Sequence, residues 1–222
     1  MSDLALNATT PVFSPLEPIF APFAGEIPFA FREQFLHSAD DPYRIKLEGV
    51  MQIWHKPRWL GPVYWALGKL GILVPYNGRE VPTTLTIVPG VFPNGQLFHR
   101  WERTLRFERP VHFNSTIIYD PRLRAVVELT GPGGPIYMVW TCRFVPPRHF
   151  TLDTQACALR VGSRLLWLPR WLWRLAFGTV RFTQDIDESV DDTVHVDLLI
   201  THPILGPIFG YSGTLRTMRT PK

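Results

Sequence analysis

The stretch QLFHRWERTLRF, residues 96–107, decides how the chain is read. Leu97, His99, Trp101, Arg103, Leu105 and Phe107 share one parity, and Arg100, Glu102, Thr104 and Arg106 share the other. A period of two marks a half-buried β-strand, whose side chains point alternately to opposite faces. The first face is the apolar one, so Arg103 is expected to point inward beside Trp101 and His99. A buried guanidinium is costly unless it is paired. It requires either a carboxylate from the protein or an anionic group on a ligand.

The same punctuation continues on both sides. Further strands are expected near residues 43–54, 81–89, 112–119, 123–130, 135–145, 150–160, 179–187, 193–201 and 208–216. Pro93-Asn94-Gly95, Asp120-Pro121 and Gly131-Pro132-Gly133-Gly134 mark turns between them. Short strands at regular spacing imply a mainly β (α+β) fold: an antiparallel barrel or strongly curved sheet with a few short helices. Helices are expected at 29–38, 58–73 and 164–177. The 22 prolines exclude a long helical bundle. Residues 1–28, with Phe13, Phe20 and Phe23 among five prolines, read as an extended, polyproline-like arm. Residues 29–222 then form one domain.

Composition narrows the function classes. Aromatics reach 13% with eight Trp, which suits packing or binding of large apolar bodies. Net charge is +4, but no Lys/Arg block and no nucleic-acid motif is present, so no nucleic-acid partner is expected. The seven histidines show no HxH or HExxH spacing, and Cys142 and Cys157 show no CxxC, so no metal is expected. The two cysteines read as reduced and buried, in a cytoplasmic protein that touches a membrane only peripherally, if it touches one. No apolar run is long enough for a transmembrane helix.

A set of ordered motifs gives a resemblance. Pro28 with Arg32 and Leu36-His37 opens it, followed by Gly49, Trp101-x-Arg103, Phe113-x-Ser115 and Glu128-x-x-Gly131-Pro132. Asp197, Pro203-x-Leu205-Gly206 and Tyr211-x-Gly213-x-Leu215 close it. From Pro28 to Leu215 the chain resembles the domain-of-unknown-function family 4166. That domain often occurs fused behind a saccharopine-dehydrogenase-like reductase, and also alone, so the resemblance implies a reductase as a partner. It implies no activity. With no strand-linked GxGxxG in the chain, no nicotinamide chemistry is indicated and no cofactor is expected.

Candidate residues follow from parity and motif together. Arg103 and Trp101 are candidate ligand-binding groups, joined by Ser115, Trp140 and Tyr211. Ser115 lacks the strand–turn–helix elbow of a hydrolase nucleophile. Trp140 shares the apolar parity of Ile136, Met138, Cys142 and Phe144. The candidate proton-transfer groups are His37, His99 and Glu128. His37, at a helix end, also fits a plain capping role. The motif makes Glu128 the partner of Arg103. Parity opposes this, because Leu123, Ala125, Val127 and Leu129 define the apolar face and place Glu128 outside unless a β-bulge intervenes.

Three functions compete. One is a barrel that binds a hydrophobic small molecule with an anionic or polar end. Another is a cofactor-independent isomerase, cyclase or dehydratase on the same scaffold. The third is a peripheral membrane or protein-interaction module that uses Trp167, Trp171 and Trp173 with the arginines among them. The tetrapeptide Pro-Arg-Trp-Leu, at 57–60 and again at 169–172, has no wider repeat around it. It reads as coincidence or as two similar apolar flaps. Around the second copy the helix is best placed over 169–177, after Pro169, with Trp171 and Leu175 on one face and Trp173 largely elsewhere; it reads as a lid that plugs the barrel with its Trp side chains, or as an interfacial membrane anchor.

Overall fold

Every strand expected from the period-two pattern is present, and the pairing closes on itself. The structure, a computed structural model, describes residues 14–222 except positions 132, 163 and 188. Its strands are β1 (Tyr43–His55), β2 (Gly78–Val91), β3 (Leu97–Arg106), β4 (Pro110–Asp120), β5 (Ala125–Thr130) and β6 (Ile136–Val145). They continue with β7 (His149–Val161), β8 (Arg164–Trp167), β9 (Thr179–Ile186), β10 (Thr193–His202) and β11 (Gly206–Pro221). All pairings are antiparallel, in the order β6-β5-β4-β3-β2-β1-β11-β10-β9-β7-β8, and β6 also pairs β7. Ten strands therefore form a closed barrel. The short β8 lies outside it, paired to the end of β7.

Close approach of β1 and β11 depends on glycine. A Cβ at Gly49 would stand 1.9 Å from the Thr214 carbonyl oxygen, and one at Gly213 would stand 2.2 Å from that of Val50. Opposite each other lie Gly49 with Leu215 and Met51 with Gly213, so each of these pairs carries a side chain on one strand only.

Helices close the two ends unequally. At the end where β1 begins, α1 (Glu17–Phe20), a short 3-10 turn (Ala21–Phe23) and α2 (Phe29–Phe35) seal the barrel. Phe20, Phe31, Phe35 and Phe150 are fully buried there, with ring centroids 4.8–6.5 Å apart. Gln184 donates to Gln34 (2.7 Å), which donates to Thr217 (3.1 Å). Glu33 accepts two hydrogen bonds from Arg219, at 2.6 and 2.8 Å. At the other end stand α3 (Gly61–Lys69), entered through a 3-10 turn at Arg58–Leu60, and α4 (Arg170–Phe177).

Three expectations need correction. The described part of the arm is helical rather than extended. Pro18 and Pro22 fall in first helical turns, where proline's missing N–H costs nothing, and Phe20 anchors the segment in the core. Pro11 and Phe13 lie outside the described residues. Residues 164–167 form the strand β8 instead of the start of a helix, and α4 follows Pro169 within the better placement, 169–177. The helix expected over 58–73 ends at Lys69, where Gly71 takes φ +63°.

Candidate functional site: a cavity with one cationic node

Register brings the inward side chains of neighbouring strands level with one another. Trp101 faces Ser115, and Ser115 faces Thr130. One step along, Arg103 faces Phe113, while Ile117, Glu128 and Met138 form the next row across β4, β5 and β6. These residues, with Trp140 on β6 and Tyr211 on β11, surround a cavity of about 280 Å³, although Ser115 itself is buried behind its lining. Its remaining wall is apolar and includes Leu152, Phe182, Leu198 and Phe209. Over the mouth stand Leu60, Tyr64 and Leu67 beside α3, and Trp173, Ala176 and Phe177 of α4. A second space of about 40 Å³ shares Trp101, Arg103, Phe113, Phe182 and Tyr211 with the first.

Arg103 is half-buried and points inward as its parity requires. Its guanidinium lies between two rings, 5.1 Å from the centroid of Trp101 and 5.0 Å from that of Phe113. Its Nη1 donates to Ser115 Oγ at 3.2 Å and, at 3.5 Å, to the Phe113 carbonyl. Among the described residues no carboxylate forms an ion pair with it. Three neighbouring polar atoms are also buried without a partner among those residues: Trp101 Nε1, Trp140 Nε1 and Thr130 Oγ1. Burial pushes the Tyr211 phenol up to about 12, while Arg103 pulls it down and Glu128 pushes it further up. Both charges therefore act on this hydroxyl, although they form no salt bridge with each other.

Glu128 corrects the parity argument. It is buried and lines the cavity, in line with Val126 and Thr130. No bulge is responsible, since the pairings of β5 with β4 and β6 run without a register shift. Instead both faces of β5 are covered. Ala125, Val127 and Leu129 pack outside the barrel against Ile118, Tyr137, Val139 and Ala158, so the apolar parity marks an outer cluster.

His37 and His99 join a different cluster, at the sealed end. His99 Nε2 donates to the His37 carbonyl at 2.8 Å, and His37 Nδ1 lies 2.8 Å from Asp41. Neither residue lines the cavity. Burial lowers the pKa of His37, with Asp41 opposing, and lowers that of His99 to about 4. Cys142 is inert by the same cause, its thiol pushed up to about 12, and Cys157, facing the cavity, is raised to about 11.

Sequence reasoning did not single out Thr130 or Cys157 as cavity residues. Thr130 shares parity with Glu128 and was hidden by the same two-sided burial. In α4 one tryptophan enters the barrel and the other does not: Trp173 is 3% exposed and lines the cavity, while Trp171 is 68% exposed. Trp173 and Phe177 turn inward at i and i+4, Leu175 and Ala176 are exposed at the rim of the cavity, and Trp171 and Leu172 face outward.

A family model described as "Domain of unknown function (DUF4166)" matches residues 27–215. No curated protein matches the chain. Among solved structures, a trans-AT PKS dehydratase domain from Brevibacillus brevis is similar over 78% of this chain and 76% of its own, at 9% identity and a TM-score of 0.18. At that score the likeness carries no argument.

Proposed function

The chain belongs to the family described as Domain of unknown function (DUF4166), and since that description carries no activity we propose a function from the barrel interior: it binds an apolar small molecule with one anionic or strongly polar end. The observation that carries this reading is Arg103, a cation without a carboxylate partner among the described residues, beside an otherwise apolar cavity. The Trp101 and Trp140 indole N–H groups and the Thr130 hydroxyl supply further hydrogen-bonding capacity near it. A cavity of about 280 Å³ is near the lower end of the ~300–1,000 Å³ usual for ligand pockets. That favours a medium-chain or monocyclic ligand over a long-chain or polycyclic one.

Displacement of a fluorescent fatty acid tests the reading. A medium-chain carboxylate should compete at least about tenfold better than the alcohol of equal length, because a charge-assisted hydrogen bond to Arg103 exceeds a neutral one. Arg103→Leu should remove that difference. Equal competition by acid and alcohol overturns the proposal.

The presence of Glu128 and Arg103 in one cavity favours a second reading, a cofactor-independent isomerase, cyclase or dehydratase. Arg103 would hold a developing oxyanion and Glu128 would move a proton. Native mass spectrometry of protein purified from its own host separates the two. A ligand of the same mass on the natural protein and on Glu128→Gln supports binding alone. A different mass trapped on Glu128→Gln supports an enzyme.

A further inference from the structure

Pro-Arg-Trp-Leu occurs at 57–60 and at 169–172, and the fold brings both copies to the open end of the barrel. In each copy the proline holds extended backbone before a helical turn, with ψ 161° at Pro57 and 144° at Pro169. Each copy presents its tryptophan to solvent, with Trp59 and Trp171 both 68% exposed. The β10–β11 turn adds Ile204, 75% exposed, and is tied to α4 by His202 Nε2, which donates to the Leu175 carbonyl at 2.8 Å. Val63, Leu175 and Leu205 are exposed and also line the cavity, so all three segments surround one mouth.

Charge on the three segments around the mouth has one sign, while the start of β2 and the β3–β4 turn at the same end add two mixed pairs, Arg79 with Glu80 and Glu108 with Arg109. Residues 56–73, 164–178 and 202–208 contain Lys56, Arg58, Lys69, Arg164, Arg170 and Arg174 but no Asp or Glu. Exposed tryptophans flanked by cations match the headgroup region of a bilayer, where indole rings sit at the interface and basic side chains meet phosphates. A second copy of the chain fits poorly, because a twofold contact through this face would oppose the two sets of cations.

We propose that the open end of the barrel docks on an anionic phospholipid bilayer, with Trp59 and Trp171 inserted as twin anchors around the cavity mouth. The apolar path from cavity to surface then continues into the bilayer. This inference rests on the surface of the mouth and not on what the cavity holds. Attachment is reversible and salt-sensitive, because each basic residue contributes on the order of a fivefold gain in partitioning and screening removes it.

Vesicle flotation at low and high salt tests it, with phosphatidylcholine alone or with one-third phosphatidylserine. The protein should float with the phosphatidylserine vesicles at low salt and be released at high salt. Trp59→Ala/Trp171→Ala and Arg58→Glu/Arg170→Glu should each reduce binding by roughly tenfold or more. All four side chains are exposed, so the fatty-acid displacement of both double variants should match that of the natural protein, which separates this test from that of the cavity. No flotation with either vesicle, equal flotation with both, or unchanged binding of the double variants overturns the proposal. So does a dimer, seen by sedimentation, that the same substitutions dissolve, because it assigns the face to a second copy.

Discussion

His99 shows what full enclosure does to an ionisable group. Because its Nε2 donates to a carbonyl, the neutral ring leaves Nδ1 bare, and that atom has no partner among the described residues. A proton added there meets no acceptor among the described residues, and burial lowers the pKa to about 4. The unfolded chain, with an ordinary histidine near 6.5, takes up protons first as pH falls. The contribution to stability is therefore complete above about pH 6.5 and is lost toward pH 4, by about 3 kcal/mol in all. Urea unfolding at pH 7.5, 5.5 and 4.5 should show this decline, and His99→Gln should flatten it. Equal slopes in the two proteins would remove His99 from the account. Arg103 makes the opposite case, a charge held by rings and a hydroxyl. With no carboxylate left unpaired, Arg103→Leu should change stability by no more than about 1 kcal/mol while weakening carboxylate binding roughly 30-fold or more. A large loss of stability in the same variant would instead mark Arg103 as a structural pillar.

At the scale of elements, the glycines of β1 and β11 let those strands approach closely, and Phe20 fixes the N-terminal segment. Gly49→Ala forces a methyl group into the Thr214 carbonyl and should destabilise by at least about 1–3 kcal/mol. Phe20→Ala removes a ring stacked on Phe35 at 5.0 Å and should cost about 3–5 kcal/mol. Chemical denaturation measures both, and a Phe20 variant of normal stability would make the segment an appendage rather than part of the core. The strands were legible because period-two alternation survives wherever one face meets water, as in β3. The pattern failed where that condition lapsed. β5 is apolar on one parity because a second cluster, with Phe92 and Phe98 at its edge, covers its outer face, so the sign of the face was lost and Glu128 with it. For α4 the choice of inward tryptophan stayed open for a related reason. Its apolar residues surround most of the wheel, and amphipathicity cannot choose between a tryptophan that fills a barrel and one that faces outward.

Taken as a whole, the molecule is asymmetric along its barrel axis, and the asymmetry bears on how a ligand gets in. The end sealed by α2 is held by an aromatic cluster, the Gln184–Gln34–Thr217 chain and the two-pronged Glu33–Arg219 pair. No sequence period could reveal this, because the polar contacts join residues 150, 183 and 186 positions apart. The open end is covered by α3 and α4, which turn side chains into the cavity but leave Trp65, Trp171, Leu172 and Leu175 exposed. Few specific ties hold them: the Tyr64 hydroxyl to the carbonyls of Lys56 (2.6 Å) and Ile208 (3.1 Å), and His202 to Leu175. Elements with little buried surface and few anchoring hydrogen bonds open at the lowest free energy. Exchange of backbone amides should therefore be fast in α3 and α4 and slow in α2, β1 and β11. A bound medium-chain carboxylate fills the space against Trp173 and Phe177 and so should slow exchange in α4, and to a lesser degree in α3, with little change at the sealed end. Protection appearing first around α2 would place the route of access at the wrong end of the barrel.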